Sequence, residues 1–255
     1  MTLLVAAKAG PGLKPSGQAF IFEPGIVITA DTRLSYADGM YIDDGVKVGV
    51  TGSHGICGMA SDSIDIPSQA FHHFDGFMQD HPNISASEAV AKLQLFLEEV
   101  HNVTTSRRGG TNLKTTVFFG HSDPSTHHMS LYRLDSNDGF LPKIRDGFDA
   151  AGSHAEWVQE SFKRIKHEYP TLTLHPFDGF PDNCVPIREG VAALVMTLIH
   201  AALEVAGAAE VATQSKQGIG GAIQAAIITP EGPRVADPQW YDKLKAWQVY
   251  KGRLE

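Results

Sequence analysis

The stretch GIVITADTRLSYADG, residues 25–39, decides the fold. It opens with the apolar and β-branched segment GIVITA, which predicts a buried strand that delivers Asp31 and Arg33 at its tip. The stretch DDGVKVGV follows at 43–50, with Lys47 alone among apolar residues. Two interpretations fit this pattern. One is a surface hairpin with a turn acid and an edge lysine that opposes aggregation, and the other is a buried Asp31–Lys47 pair that serves a nucleophile.

The composition fits one globular domain. The chain has 255 residues, of which 42% are hydrophobic, so it can bury a sizeable core. Its formal charge of −8 argues against a nucleic-acid partner, which normally meets a basic patch. The chain has no apolar run long enough to span a membrane, and MTLLVAAK at its start lacks the basic and long apolar regions of a signal peptide. Two cysteines, Cys57 and Cys184, fit a reduced, cytoplasmic protein without a disulfide framework.

The periodicity predicts groups of strands separated by pairs of helices. Strands are expected at 2–8, 18–22, 25–31, 40–50, 53–60, 115–120, 129–134, 141–145, 148–151 and within 220–232, and helices at 62–79, from Ser85 with a capping box to Glu88, at 154–168 and at 188–207. Such an order indicates two sheets packed face to face with helices outside. We therefore expect an α+β fold, a four-layer αββα sandwich that forms a single domain over residues 1–255, with a C-terminal tail at about 236–255.

Four motifs occur in a characteristic order. They are MTLLVAAK at 1–8, GIVITADTR at 25–33, Lys47 at a fixed separation from the preceding acid, and GICGMASDS at 55–63. Together they resemble the proteasome β-type subunits and the related bacterial peptidase rings, which are N-terminal-nucleophile hydrolases. AAGSHAEWVQ and GGAIQAAIITPEG add weaker similarity, so that the resemblance spans most of the chain and implies the αββα fold of that family.

The resemblance implies a catalytic site built around an N-terminal threonine. Removal of Met1 would leave Thr2 with a hydroxyl group and a free α-amine. A hydroxyl is a weak nucleophile until a base takes its proton, and an α-amine, with an unperturbed pKa of about 8, can be that base at neutral pH. Lys47 would stay cationic and lower the pKa of the Thr2 hydroxyl, and Asp31 would hold the lysine in place.

Two further residues match family positions. Gly58 would supply a backbone N–H to the oxyanion at a strand-to-helix turn. Its alternative role is a glycine needed only for close packing. Ser153 would support the α-amine, although Ser153 and Glu156 also form a capping-box pattern ahead of a helix.

The sequence departs from the family pattern at two places. In SKQGIGG, at 215–221, Lys216 and Ile219 stand where proteasome β subunits usually have Asp and Ser. About a dozen extra residues, roughly 9–21, separate Thr2 from Asp31, and a longer hairpin turn can absorb them. Alternatively, Ser16 would become the nucleophile if residues 1–15 were a cleaved propeptide.

These features favour a threonine-type peptidase that hydrolyses peptide or unfolded-protein substrates inside a self-compartmentalising homo-oligomer. The chemistry needs no metal or organic cofactor, and adjacent histidines such as His72–His73 lack the spacing of a zinc helix. No nucleic-acid or membrane partner is expected. Two alternatives stay open: a non-catalytic ring subunit, and an N-terminal-nucleophile amidase that acts on a small molecule.

Overall fold

The computed structural model describes residues 3–9, 25–35, 40–42, 45–153, 155–156, 158–160, 223–229 and 231–235. Its elements, in chain order, are β1 (Leu3–Ala9), β2 (Gly25–Asp31), β3 (Leu34–Ser35), β4 (Tyr41–Ile42), β5 (Val48–Thr51), β6 (Gly55–Ser61), α1 (Asp65–Asp80), α2 (Ala86–Arg107), β7 (Thr115–Ser122), β8 (Met129–Asp135), β9 (Lys143–Arg145), β10 (Phe148–Gly152), β11 (Ile223–Thr229) and β12 (Gly232–Val235). Over these residues the fold is α+β, with two five-stranded antiparallel sheets and two α-helices.

The apolar segment that begins at Gly25 forms β2, the central strand of the first sheet. The strand order is β10-β1-β2-β11-β12, so β2 pairs with β1 on one side and with β11 on the other. A strand with neighbours on both sides and buried faces should be apolar along its whole length, as GIVITA is. The sequence prediction of a buried strand at 25–31 is confirmed.

The second sheet has the order β5-β6-β7-β8-β9, and one buried cluster joins it to the first sheet. Leu4 of β1 and Ile28 of β2 lie in this cluster with Ile56 of β6 and Phe118 of β7. These side chains are fully buried, and each contributes roughly 1.5–3 kcal/mol of hydrophobic stabilisation. Packing between the sheets therefore holds β2 against β6.

The two helices pack on the second sheet. Phe74 of α1 makes an edge-to-face contact with Phe119 of β7, with ring centroids 5.2 Å apart. Helix α2 begins after Ser85, whose side chain accepts the Glu88 N–H while the Glu88 carboxylate accepts the Ser85 N–H. The predicted capping box is thus confirmed.

Two predicted boundaries were wrong, and one helix can be followed only in part. Residues 40–50 do not form one strand, because Gly45 and Lys47 form hydrogen bonds to the Gln224 side chain and the Thr32 carbonyl oxygen instead of to a neighbouring strand. Helix α1 begins at Asp65 and not at residue 62. Residues 155–156 and 158–160 are helical, as predicted. The rest of that helix, the strand at 18–22, the helix at 188–207 and the tail lie outside the described residues.

Gly58 lies at the interface between the two sheets. It is paired with Val48 on one side and with Phe118 on the other, in the interior of β6. A Cβ atom at this position would lie 2.5 Å from Ile28 Cγ2 and 2.9 Å from Leu4 Cδ1. The sheets can approach this closely only because residue 58 has no side chain.

We expect Gly58→Ala to lower the free energy of unfolding by about 1–3 kcal/mol, because the added methyl group overpacks the interface. Gly49→Ala in β5 is the matched control, since a Cβ there meets nothing within 4 Å. Urea denaturation of both variants measures the difference. Equal stability of the two variants would contradict close packing at residue 58.

His121 occupies a buried row that crosses the second sheet. Thr51, Gly55 and His121 are paired in register on β5, β6 and β7. The His121 side chain is fully buried, and neither ring nitrogen has a hydrogen-bond partner among the described residues. Burial and, to a smaller extent, the nearby His54 lower the pKa of His121 to about 4, and Asp123 partly opposes this shift.

This histidine makes the fold sensitive to acid. The unfolded chain binds a proton at the ordinary histidine pKa, whereas folded His121 resists protonation until the pH reaches its lowered value. The contribution of neutral His121 to the free energy of unfolding is therefore full above pH 6.5. It is lost as the pH drops towards 4, by about 3 kcal/mol in total. Denaturation of the wild type and of His121→Leu at pH 7 and pH 4.5 tests this, with exposed His128→Gln as control. An unchanged pH dependence in His121→Leu would show that other groups cause the acid sensitivity.

Candidate active site

Asp31, the last residue of β2, is the centre of a buried polar cluster. Its side chain is fully buried. Oδ1 accepts the Leu3 N–H at 2.8 Å, and Oδ2 accepts the Arg33 N–H at 3.2 Å and the Lys47 ammonium at 3.2 Å. Because β2 is the central strand, its end holds the carboxylate between β1 and the loop that follows.

Lys47 is the cation of this cluster, and only 3% of its surface is exposed. Besides the bond to Asp31, Nζ donates to the carbonyl oxygen of Arg33. Its backbone N–H donates to Gln224 Oε1 at 2.9 Å, and its carbonyl oxygen accepts the Met59 N–H at 3.0 Å. The surface-hairpin interpretation of the opening stretch was therefore wrong, and the buried pair is present.

A buried ion pair is costly to form. Removing two charges from water costs several kcal/mol for each ion, and the attraction between them repays this only when further hydrogen bonds satisfy the remaining donors and acceptors. Here the Leu3 and Arg33 N–H groups and the Arg33 carbonyl do so. Apolar residues of similar volume often give a folded protein at least the same stability as a buried ion pair. Stability alone therefore does not explain this pair, which makes it a candidate for a chemical role.

Strand ends from three parts of the chain meet beside this pair. Leu3 is paired with Gly152, and Ile223 is paired with Asp31. The start of β1, the ends of β2 and β10 and the start of β11 thus lie together at one end of the strands of the first sheet. Thr2, the predicted nucleophile, lies outside the described residues.

Ser153 follows the end of β10 and is partly buried. Its neighbour Gly152 is paired with Leu3, the residue that donates to Asp31. Ser153 therefore lies at the same end of the first sheet's strands as the ion pair. Its predicted role at the α-amine stays a prediction.

Gly58 does not lie at a strand-to-helix turn, as the sequence analysis had expected. That turn consists of residues 62–64, after the end of β6. Gly58 is four residues before this turn, inside a strand with neighbours on both sides. The expected position was wrong because GICGMAS continues as a strand for its whole length. Close packing requires a glycine here, and the role of the Gly58 N–H at the oxyanion stays a prediction.

A cavity of about 1010 Å³ opens beside Lys47. Its apolar wall includes Val50, Met59 and Phe71, and Ser61 adds a hydroxyl group. Ligand pockets for small molecules typically have about 300–1,000 Å³ and combine such apolar walls with a few polar groups. The cavity is large enough for one or two side chains of a peptide.

Other nucleophiles and ligands are less well placed. Burial raises the pKa of the Cys57 thiol far above its ordinary value, so that this thiol stays protonated and unreactive. Among the described residues, no group of three or more His, Cys, Asp or Glu side chains is arranged to hold a metal ion. Within the same ranges, neither helix has the length and apolar character that a bilayer span requires.

The sequence analysis did not single out Gln224, which contacts the Lys47 backbone. The only signal for it is a lone polar residue in the apolar run AIQAAIIT. A polar side chain in a buried strand needs a hydrogen-bond partner, but the sequence does not show which one.

Neither protein-family models nor curated proteins gave a match to this chain. Its function is therefore inferred from the geometry of the site.

We expect Lys47→Met to lower the free energy of unfolding by roughly 3–5 kcal/mol, because it leaves the Asp31 carboxylate buried without its counter-charge. Lys8→Met is the matched control. The Lys8–Asp146 pair has a similar length, 3.0 Å, but Asp146 is 80% exposed, so its loss should cost at most about 1 kcal/mol. Chemical denaturation compares the two variants, and similar losses would contradict the description of Asp31–Lys47 as a buried pair.

Proposed function

We propose that the chain is a threonine-type peptidase of the N-terminal-nucleophile class, with Thr2 as nucleophile after removal of Met1. One observation carries the proposal: the buried Asp31–Lys47 pair is hydrogen-bonded to the Leu3 N–H. That nitrogen is the atom through which residue 2 is joined to β1. In this proposal the side chain of residue 2 would lie within reach of the Lys47 ammonium, which is bonded to the same Asp31 carboxylate.

The chemistry follows from this placement. The α-amine takes the proton of the Thr2 hydroxyl, and the oxygen attacks a peptide carbonyl carbon. The C–N bond of the substrate breaks, the leaving amine receives the proton, and an acyl-enzyme ester remains. Water activated by the same α-amine then hydrolyses the ester. Lys47 favours the anionic form of the attacking oxygen, and Asp31 keeps Lys47 charged and oriented.

The pairing register supports a role for Ser153. Leu3 is paired with Gly152 in antiparallel register. If the same register extended by one residue, Ser153 would stand opposite position 2, and its hydroxyl group would be available to the α-amine. The substrate would occupy the cavity beside Lys47.

The four-layer αββα sandwich belongs to the same proposal. Leu4 and Ile28 contact the second sheet. Leu3, Val5 and Val27 alternate with them along β1 and β2, and they are equally buried. This face of the first sheet needs a cover, and the helices predicted at 154–168 and 188–207 would supply it.

Assembly into a self-compartmentalising homo-oligomer completes the proposal. Met40, Ile42 and Val46, which flank the loop that leads to Lys47, expose 65%, 44% and 76% of their surface. A neighbouring subunit would cover these apolar side chains next to the cavity.

The second candidate function, a non-catalytic ring subunit, is favoured by Lys216 and Ile219 in place of the family's Asp and Ser.

The test is the intact mass of the protein before and after incubation with a peptide epoxyketone or vinyl sulfone. We expect loss of Met1 and addition of one probe molecule. Thr2→Ala should abolish the adduct, Lys47→Met should slow its formation by at least about a hundredfold, and Lys8→Met should leave it unchanged.

Other results would point elsewhere. A retained Met1 without adduct would contradict the peptidase and favour the non-catalytic ring subunit. Loss of residues 1–15 with an adduct on Ser16 would move the nucleophile to that residue.

A further inference from the structure

We infer that Gln224 is a positioning residue of this site, which acts by holding the loop that carries Lys47. The inference rests on the proposed function only for its effect on catalysis, and its structural part can be tested separately. Gln224 belongs to β11, 177 residues after Lys47 in the chain, yet its side chain contacts that loop at two points.

The Gln224 carboxamide makes both of these contacts. Gln224 Oε1 accepts the Lys47 N–H at 2.9 Å, and Gln224 Nε2 donates to the Gly45 carbonyl oxygen at 2.9 Å. One acceptor and one donor thus meet an N–H and a C=O two residues apart. This is the pattern by which one residue of a parallel neighbouring strand bonds to the residues on either side of its partner, so the Gln224 side chain takes the place of a missing strand.

The loop needs such a replacement because residues 45–47 lie outside any strand. Two other backbone groups of this loop are bonded to other elements: the Gly45 N–H donates to the Thr32 carbonyl oxygen at 2.9 Å, and the Lys47 carbonyl oxygen accepts the Met59 N–H at 3.0 Å. Without Gln224, the Lys47 N–H and the Gly45 carbonyl would lose their partners. Buried backbone groups without partners are costly, so the loop would have to shift.

A shift of this loop would move the Lys47 ammonium. The ammonium bonds to Asp31 and to the Arg33 carbonyl, and both are fixed by β2 and the residues that follow it. Gln224 itself is paired with Ala30, the neighbour of Asp31. The strand that carries Asp31 thus also anchors, through β11, the backbone of Lys47, so both partners of the ion pair are held by the first sheet.

The experiment compares Gln224→Met, which removes both hydrogen bonds, with Gln224→Glu, which keeps the acceptor and loses the donor. Gln159→Met is the matched control. The Gln159 carboxamide also binds backbone, donating to the Ala150 carbonyl oxygen at 3.1 Å, but its bonds do not involve the Lys47 loop. Thermal unfolding first establishes that each variant folds cooperatively.

Two readouts follow. The first is acetylation of Lys47 by an N-hydroxysuccinimide ester, quantified by peptide mass spectrometry with Lys8 as internal reference. The second is the rate of capture by the peptide epoxyketone. We expect Gln224→Met to raise Lys47 acetylation severalfold and to slow the capture step by about tenfold to a hundredfold at unchanged probe affinity. Gln224→Glu should be intermediate, and Gln159→Met should resemble the wild type.

Wild-type rates of Lys47 acetylation and capture in Gln224→Met, or equal effects of Gln224→Met and Gln159→Met, would overturn the inference. If neither Gln224 variant folds, hydrogen exchange in the wild type decides: the Lys47 amide should exchange slowly, and rapid exchange would overturn the inference. If the wild type is not captured at all, the proposed function fails, while acetylation and amide exchange still decide the role of Gln224.

Discussion

The buried ion pair between Asp31 and Lys47 is the interaction on which the proposed site depends. Its carboxylate stands at the end of the central strand of one sheet, and its lysine precedes the edge strand of the other. Two charges survive in the interior only where every donor and acceptor is satisfied. The N–H groups of Leu3 and Arg33 and the Arg33 carbonyl meet that requirement here. The hydrogen bond from Leu3 also fixes the beginning of β1, so the pair and the position of Leu3 depend on the same contact.

The site is assembled from residues that lie far apart in the chain. Asp31, Lys47 and Met59 come from the first quarter of the sequence and Gln224 from near its end. Asp31, Met59 and Gln224 each bond a different polar group of Lys47, so none of the three holds the lysine alone. The site therefore exists only after β11 has joined the first sheet and the two sheets have packed together. In the proposed hydrolase, a partly folded chain would therefore lack the charged group that activates the nucleophile.

The sequence predicted most of the described strands and both helices, because hydrophobic periodicity reports which face of an element is buried. It also singled out Asp31 and Lys47, since a lone charge in an apolar run needs a partner. It did not predict the break in the strand at 40–50, because tertiary hydrogen bonds there replace the ladder. Nor could it place Gly58 or assign Gln224 a partner. The need for a glycine depends on how closely two sheets approach, and the partner of Gln224 lies 177 residues away.

The most direct test of the central claim is a crystal structure of the protein after reaction with the peptide epoxyketone. We expect continuous electron density from the probe to the oxygen of Thr2, adjacent to the Lys47 ammonium and within hydrogen-bond distance of the cluster around Asp31, with the probe's side chain in the cavity lined by Met59 and Phe71. Attachment at another residue, or a first residue far from the ion pair, would contradict the claim that Asp31 and Lys47 serve an N-terminal nucleophile.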